Sequence, residues 1–278
     1  MDLNERPSLL AIFAHPDDES IAAGGTLTRH AALGWRTALI CATRGERGPI
    51  SDESLADYEN LGEVRERELR AACAILGVEW LQFLDLEDGG VAAALGAEAE
   101  EKTLEKIVRA IRELRPQKVI TFGPDGLYGH EDHIAIGQLA TKACAMAGAP
   151  VENAFPQQLR EALTAHRVPE LYYATVPQGY YSNLIAQLAQ SGSETHLWGI
   201  PPEQFGVPPE EITLALDITP FLDRKLAALR CHRTQLDDSH AFTKLTRELA
   251  VRIFSHEFFR REYAYNQAAG CSSRISLV

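Results

Sequence analysis

The sequence predicts an α/β fold, a mostly parallel sheet with helices on both faces. Two patterns carry the prediction. Through residue 148, short apolar runs alternate with stretches of helical periodicity in the order β-α-β-α-β-α-β-α. The clusters richest in His, Asp and Arg then follow the carboxyl ends of the strands, the edge at which open α/β sheets bind ligands.

Leu9 to Phe13 is a continuous apolar run, too short to span a membrane and suited to a buried strand. Ser20 to Leu33 reads as a helix that Gly34 ends. Thr37 to Ala42 is the second strand, followed by the polar loop Thr43-Arg44-Gly45-Glu46-Arg47-Gly48-Pro49. Glu63 to Leu76 has helical spacing through Val64, Leu69, Ala72, Cys73 and Leu76, with Gly77 as its stop. Trp80 to Leu86 is the third strand and Asp88-Gly89-Gly90 a turn. Glu98 to Leu114 is amphipathic, with Leu104, Ile107, Val108 and Ile111 on one face and Pro116 beyond its end. Lys118 to Phe122 is the fourth strand; a loop from Gly123 to His133 leads into a helix over Ile134 to Ala147.

Beyond residue 148 the pattern is less regular. Gln157 to Ala165 and Ser182 to Gln190 carry weak helical spacing, Leu171 to Val176 and Ile212 to Ile218 read as strands, and Trp198 to Pro209 is proline-rich loop. Thr219-Pro220 opens a helix to about His232 with Thr219 as N-cap, and Thr243 to Phe259 reads as a last helix. The chain is read as one domain over 1–278, with a core of about 7–148. The part over about 149–265 is a C-terminal extension that shapes the pocket, and the small, polar tail 266–278 is expected to be disordered.

A chain of 278 residues, 45% hydrophobic and 24% charged, can bury a sizeable core. Its net charge of −12 argues against a general surface for nucleic acid or an anionic membrane. No stretch approaches a membrane span, and Met1 to Arg6 lacks a signal-peptide pattern. The five cysteines are scattered and form no CxxC, which points to reduced thiols in the cytoplasm rather than a disulfide framework or a cysteine zinc site.

Chemistry concentrates in two clusters. Ala14-His15-Pro16-Asp17-Asp18-Glu19 lies where the first strand turns into its helix, and Pro16 holds His15 extended. The same residues also suit a plainer role: Asp17 or Asp18 as helix N-cap, Glu19 as a first-turn charge, His15 as a satisfied polar group. The second cluster, Tyr128-Gly129-His130-Glu131-Asp132-His133, lies at the end of the fourth strand and shifts the balance. In a parallel sheet two such loops face each other across a crevice. His15, Asp18 and His133 then form a two-histidine, one-carboxylate metal site with open positions, suited to hydrolysis. Asp17 is placed to take a proton from water. His130 is placed to donate to the leaving group or steady the oxyanion, with Asp132 orienting its ring, and Tyr128 to donate to the carbonyl oxygen.

These two motifs together resemble those of the LmbE-like (PIG-L) zinc-dependent N-deacetylases. The resemblance covers the first half of the chain and returns at Lys225 and at His232-Arg233-Thr234-Gln235. It implies a Rossmann-like fold and hydrolysis of an N-acetyl group, usually on an N-acetylglucosamine (GlcNAc) unit. It implies the ligand and catalytic roles just given, with Zn2+ as metal; Fe2+ or another divalent ion suits the same donors. Glu131 stands where relatives often have proline. Family members include enzymes of mycothiol and bacillithiol synthesis and mycothiol-conjugate amidases.

For substrate binding the candidates are Arg44 and Arg47 in the loop after the second strand, Arg65, which matches the family's substrate arginine, and His232 by resemblance only. The partner expected is a small amino-sugar, with no nucleic acid and no membrane, and relatives suggest a homo-oligomer. Arginines of the second loop or of 148–209 would read a malate carboxylate; an inositol would not require them. An amidase acting on a thiol conjugate or another secondary amide is the second reading, and a non-enzymatic metal- or ligand-binding module the third. Against the third, a structural zinc normally fills all four positions with protein ligands.

Overall fold

The computed structural model describes residues 6–96, 98–149, 164–182, 201–236 and 246–264. Its strands are β1 (Ser8–Phe13), β2 (Arg36–Cys41), β3 (Trp80–Phe83), β4 (Lys118–Phe122), β5 (Glu170–Thr175), β6 (Leu214–Asp217) and β7 (His256–Ala264). Its helices are α1 (Asp18–Ala32), α2 (Leu61–Leu76), α3 (Glu98–Leu114), α4 (Gly126–Gly129), α5 (Glu131–Gly148), α6 (Leu222–Leu229) and α7 (Arg247–Phe254).

The apolar run after Pro7 becomes β1, buried at every position because helices cover both of its faces. The sheet order is β3-β2-β1-β4-β5-β7-β6. β1, β2, β3, β4 and β5 pair in parallel, while β7 is antiparallel to both β5 and β6. The crossovers run outward from β1 to β2 and β3, then back across to β4. They place α1 and α2, joined by α6, on one face and α3 with α5 on the other. The order reverses between β1 and β4, and a crevice opens there at the strands' carboxyl ends.

The first half follows the sequence pattern. α3 and β4 have the expected bounds, because the apolar stripe of α3 ends at Leu114 and Pro116 forbids its extension. α5 starts at Glu131 rather than Ile134, because His130 Nδ1 accepts the Asp132 N–H and caps the helix. β3 stops at Phe83, three residues early.

The second half brings corrections. Thr219 does not cap a long helix. Asp217 Oδ1 accepts the Thr219 N–H, a 3-10 turn follows over Thr219–Phe221, and α6 ends at Leu229. The expected last helix over Thr243–Phe259 is instead α7, N-capped by Thr246, followed by β7. At the join, Ser255 O accepts the Ile218 N–H at 2.7 Å, and Phe258 and Phe259 continue as strand. The helical expectations at Gln157–Ala165 and Ser182–Gln190 fall almost wholly, and the tail 266–278 wholly, outside the described residues. Among the described residues no helix is long and apolar enough to cross a membrane.

One buried ion pair ties the two halves together. Lys225 on α6 and Glu257 on β7 meet at 2.6 Å, with side chains 1% and 2% exposed. Lys225 Nζ also donates to Ile21 O in α1, while Glu257 accepts the N–H groups of Gly25 and Thr26 and the Thr26 hydroxyl. The pair thus reaches both ends of the helical Ile21–Gly25 step. Gly25 permits the approach, since a Cβ there would strike Ile218.

Candidate active site

The loop after β1 and the loop after β4 meet in a cleft of about 440 Å3 lined by His15, Asp17, Asp18, Arg65, Asp88, Tyr128, His130 and His133 among others. Asp18 is its pivot. Its Oδ2 accepts the backbone N–H groups of Ala14 (3.2 Å) and His15 (2.9 Å), so the loop folds around its carboxylate. Asp18 Oδ1 lies 3.3 Å from His133 Nε2, and Oδ2 lies 3.7 Å from His15 Nδ1. Burial alone would raise the Asp18 pKa, but His133 and His15 hold it below the usual carboxylate range.

The outer nitrogens of both histidines are engaged. His133 Nδ1 donates to Gly126 O at 3.1 Å, and its ring stacks on Phe122 with centroids 4.0 Å apart. His15 Nε2 lies 3.2 Å from both Asp132 Oδ2 and Asp88 Oδ1. Burial opposes protonation of His15, yet those two carboxylates raise its pKa to about 10. Ring orientation fixed by a carboxylate or carbonyl behind each histidine is what metal-binding imidazoles require. His15 Nδ1 and His133 Nε2 are left facing Asp18, an all-N/O donor set suited to a zinc-like divalent ion. Ring nitrogens of His15, His130 and His133 also lie within 4.8 Å of one another.

Asp17 sits beside this group with φ 123° and ψ −29°, a region L-residues rarely occupy. Burial raises its pKa to about 6, against the opposing pull of Arg65. Arg65, buried at 3% exposure, donates to Pro16 O (2.6 Å), Gly45 O (2.9 Å) and Asp17 Oδ2 (3.2 Å). Gly45, at φ 66°, is required there because a Cβ would overlap the guanidinium.

His130 is neutral near pH 7, its pKa pushed down to about 4 chiefly by burial. Because its Nδ1 accepts the Asp132 N–H, Nε2 carries the ring proton. Burial raises the Tyr128 pKa, so its hydroxyl stays a donor.

A model of the PIG-L family, described as GlcNAc-PI de-N-acetylase, matches residues 10–144. The chain is 35% identical to the 1D-myo-inositol 2-acetamido-2-deoxy-alpha-D-glucopyranoside deacetylase of Acidothermus cellulolyticus, over 91% of this chain and 87% of that one. This chain belongs to the PIG-L family. The enzyme of the same name from Streptomyces avermitilis is 34% identical over 93% of this chain and 92% of its own length. Among solved structures, the N,N'-diacetylchitobiose deacetylase of Pyrococcus horikoshii superposes with TM-score 0.65 at 22% identity, covering 93% of this chain and 85% of that one. The 4-carboxy-2-hydroxymuconate hydratase GalB of Pseudomonas putida does so with TM-score 0.65 at 21% identity, over 94% and 98%. At such identities these two share the fold alone.

Measured against the sequence expectations for this PIG-L chain, His15, Asp17, Asp18, Arg65, Tyr128, His130 and His133 converge on the cleft, whereas Arg44, Arg47 and His232 do not line it. Arg44 pairs with Glu66 and Asp85 at 2.8 Å and lies over the Phe83 ring; Arg47 pairs with Glu87. Acidic groups on α2 and in the loop after β3 hold both guanidiniums away. His232 is wholly buried against Glu19. Asp132 does not orient His130 through its carboxylate. That carboxylate accepts from Gly89 N (2.8 Å) and Val91 N (3.0 Å) and faces His15. Asp88, in the sequence only part of the Asp88-Gly89-Gly90 turn, also joins the site; an acidic residue between a strand end and two glycines is the signal for it. Gln235 also lines the cleft.

Proposed function

We propose that this chain hydrolyses the 2-acetamido group of a GlcNAc glycoside of inositol, releasing acetate and the free amine. The observation that carries the reading is the convergence of Asp17 with His15, Asp18 and His133 at one mouth, in a chain whose full-length relatives bear the name of that reaction. His15, Asp18 and His133 hold the metal, Zn2+ or Fe2+. When bound, the ion supplies Lewis acidity for attack on the amide.

Every other step belongs to side chains. Asp17, raised toward neutrality by burial, accepts a proton from the attacking water; once protonated, it can return that proton to the departing amine. The neutral His130, through Nε2–H, and Tyr128, through its hydroxyl, donate to the acetyl oxygen as negative charge develops on it. Asp88 and Asp132 keep the His15 ring in place. Arg65 holds the Asp17 carboxyl and the Pro16 carbonyl and lies in the cleft wall.

An inositol aglycone suits the cleft better than malate. Arg44 and Arg47, the second-loop arginines that would read a carboxylate, are turned outward and paired. The scattered thiols, with no CxxC among them, support a cytoplasmic setting for this reaction. The test is acetate release from N-acetylglucosamine, GlcNAc-inositol and GlcNAc-malate by protein reloaded with Zn2+ or Fe2+. GlcNAc-inositol is expected to be the best substrate. Asp17→Asn is expected to lower turnover by about 10²–10⁴-fold while retaining metal. Full activity of that variant removes the mechanism; preference for GlcNAc-malate removes the substrate assignment.

A further inference from the structure

A buried polar chain that this mechanism does not use runs from α1 to the segment after α6. Glu19 is 1% exposed and His232 0%. Glu19 Oε1 accepts from His232 Nε2 at 2.9 Å and from Ser20 Oγ at 2.5 Å. Its other oxygen, Oε2, accepts the backbone N–H of Asp17 at 3.0 Å. His232 Nδ1 has no hydrogen-bond partner among the described residues, so the ring is committed through Nε2 alone. The connection is directional: His232 holds Glu19, and Glu19 holds the Asp17 peptide.

Asp17 is where such a hold has consequences. A non-glycine residue at φ 123° persists only when its surroundings over-determine it. The neighbouring Ala14 and His15 amides are held separately, by Asp18 Oδ2. The loop's amides therefore have two carboxylate anchors, Asp18 for Ala14 and His15 and Glu19 for Asp17, while Arg65 holds the Pro16 carbonyl. The second reaches the far end of the chain, because the His232 segment is itself tied down. Thr234 donates through N (2.9 Å) and Oγ1 (2.6 Å) to Glu68 on α2, and Gln235 Nε2 donates to Pro49 O (2.8 Å) at the cleft rim.

We propose that Glu19 and His232 are positioning residues: together they fix the left-handed Asp17 peptide, and with it the aim of the Asp17 carboxyl, through the backbone and from outside the cleft. The kinetic consequence rests on the deacetylase reading above; the structural one rests on geometry alone.

The test compares His232→Leu, which fills the site without a donor, with His232→Gln, whose amide N–H can still reach Glu19. Two readouts are taken on the full chain. Exchange of the Asp17 amide, followed by NMR, is expected to speed up about tenfold or more in His232→Leu while Ala14 and His15 keep wild-type protection. In metal-loaded protein, kcat is expected to fall about 10–100-fold with KM within about twofold and metal stoichiometry unchanged. His232→Gln is expected to recover much of both. Unchanged Asp17 exchange with unchanged kcat in folded His232→Leu overturns the proposal. So does a kcat loss matched by metal loss, or an equal loss in His232→Gln. Should His232→Leu not fold, Glu19→Asp, which withdraws the carboxylate from the Asp17 N–H by one methylene, carries the same two expectations. If wild-type protein releases no acetate from any GlcNAc substrate, the deacetylase reading fails, while amide exchange still decides whether the pair holds Asp17.

Discussion

Replacing Lys225 by Met keeps most of the side chain's volume and removes its charge. Glu257 then loses its only ionic partner among the described residues at a site 3% exposed, and Ile21 O loses a donor. Breaking a buried pair by deleting one partner costs about 3–5 kcal/mol, because the orphaned charge keeps its desolvation penalty. Here three donors remain on Glu257, from Gly25 N, Thr26 N and Thr26 Oγ1, at 2.6–2.8 Å. They place the expected loss at the lower end, about 3 kcal/mol. For a chain of this size that is a fall in Tm of about 6–12 °C. The measurement is urea unfolding followed by far-UV circular dichroism, with Lys225→Met, Glu257→Gln and the double variant in one cycle. The double variant carries no orphaned charge, and the Gly25 N–H can return to Ile21 O. Its loss is therefore expected to fall short of the sum of the single losses by at least about 1 kcal/mol. A Lys225→Met loss below about 1 kcal/mol, or additivity across the cycle, would refute the argument that this pair is a closed buried unit.

His30 gives a pH dependence of opposite origin. Its Nδ1 donates to Thr26 O at 2.8 Å, its ring meets Trp35 edge-on, and burial pushes its pKa from 6.5 to about 4. The unfolded chain therefore binds a proton that the folded protein refuses between those values, and stability falls as pH drops through that window. Between pH 6.5 and 4.5 wild-type protein is expected to lose about 2 kcal/mol more than His30→Gln; equal pH slopes in urea unfolding would contradict it. Asp132→Asn removes a carboxylate behind His15 while Asp88 stays in place. Metal affinity, measured by chelator competition, is expected to weaken about tenfold, and unchanged affinity would show that Asp132 does not support the ligand.

Much of the site was legible because it is local. The loops carrying His15, Asp17, Asp18, Tyr128, His130 and His133 lie at strand ends, and the alternation of strands and helices alone brings them to one edge of the sheet. The limits α3 and β4 take are equally local, set by an apolar stripe and Pro116. What the sequence hid depends on partners far along the chain. Arg44 and Arg47 looked available until Glu66, Asp85 and Glu87 came alongside. Glu19 looked like a first-turn charge, and only the return of His232 shows it to be enclosed. The expected helix Thr243–Phe259 takes in the first four residues of β7, but the helix ends at Phe254 and His256 onward pairs with β5 and β6, partners distant in the sequence. The side of Asp132 that faces His15 depends on the loop after β3, whose Gly89 and Val91 amides hold its carboxylate.

The placement of β7 bears on how the molecule is made. It is the last strand in sequence among the described residues, yet it lies inside the sheet, between β5 and β6. A growing chain that has released everything through α7 still presents the edge of β5 unpaired and leaves β6 without its neighbour. Lys225 at that stage awaits its carboxylate, and Gly25 and Thr26 await their acceptor. Folding of the first half during synthesis thus yields a sheet with an open, adhesive margin until the nine residues of β7 dock. Arrival of β7 closes that margin and locks α1, whose N-terminal loop carries Asp17 and Asp18, in one event. A chain cut short before Glu257 lacks the strand that closes this margin and the carboxylate that holds Lys225, Gly25 and Thr26.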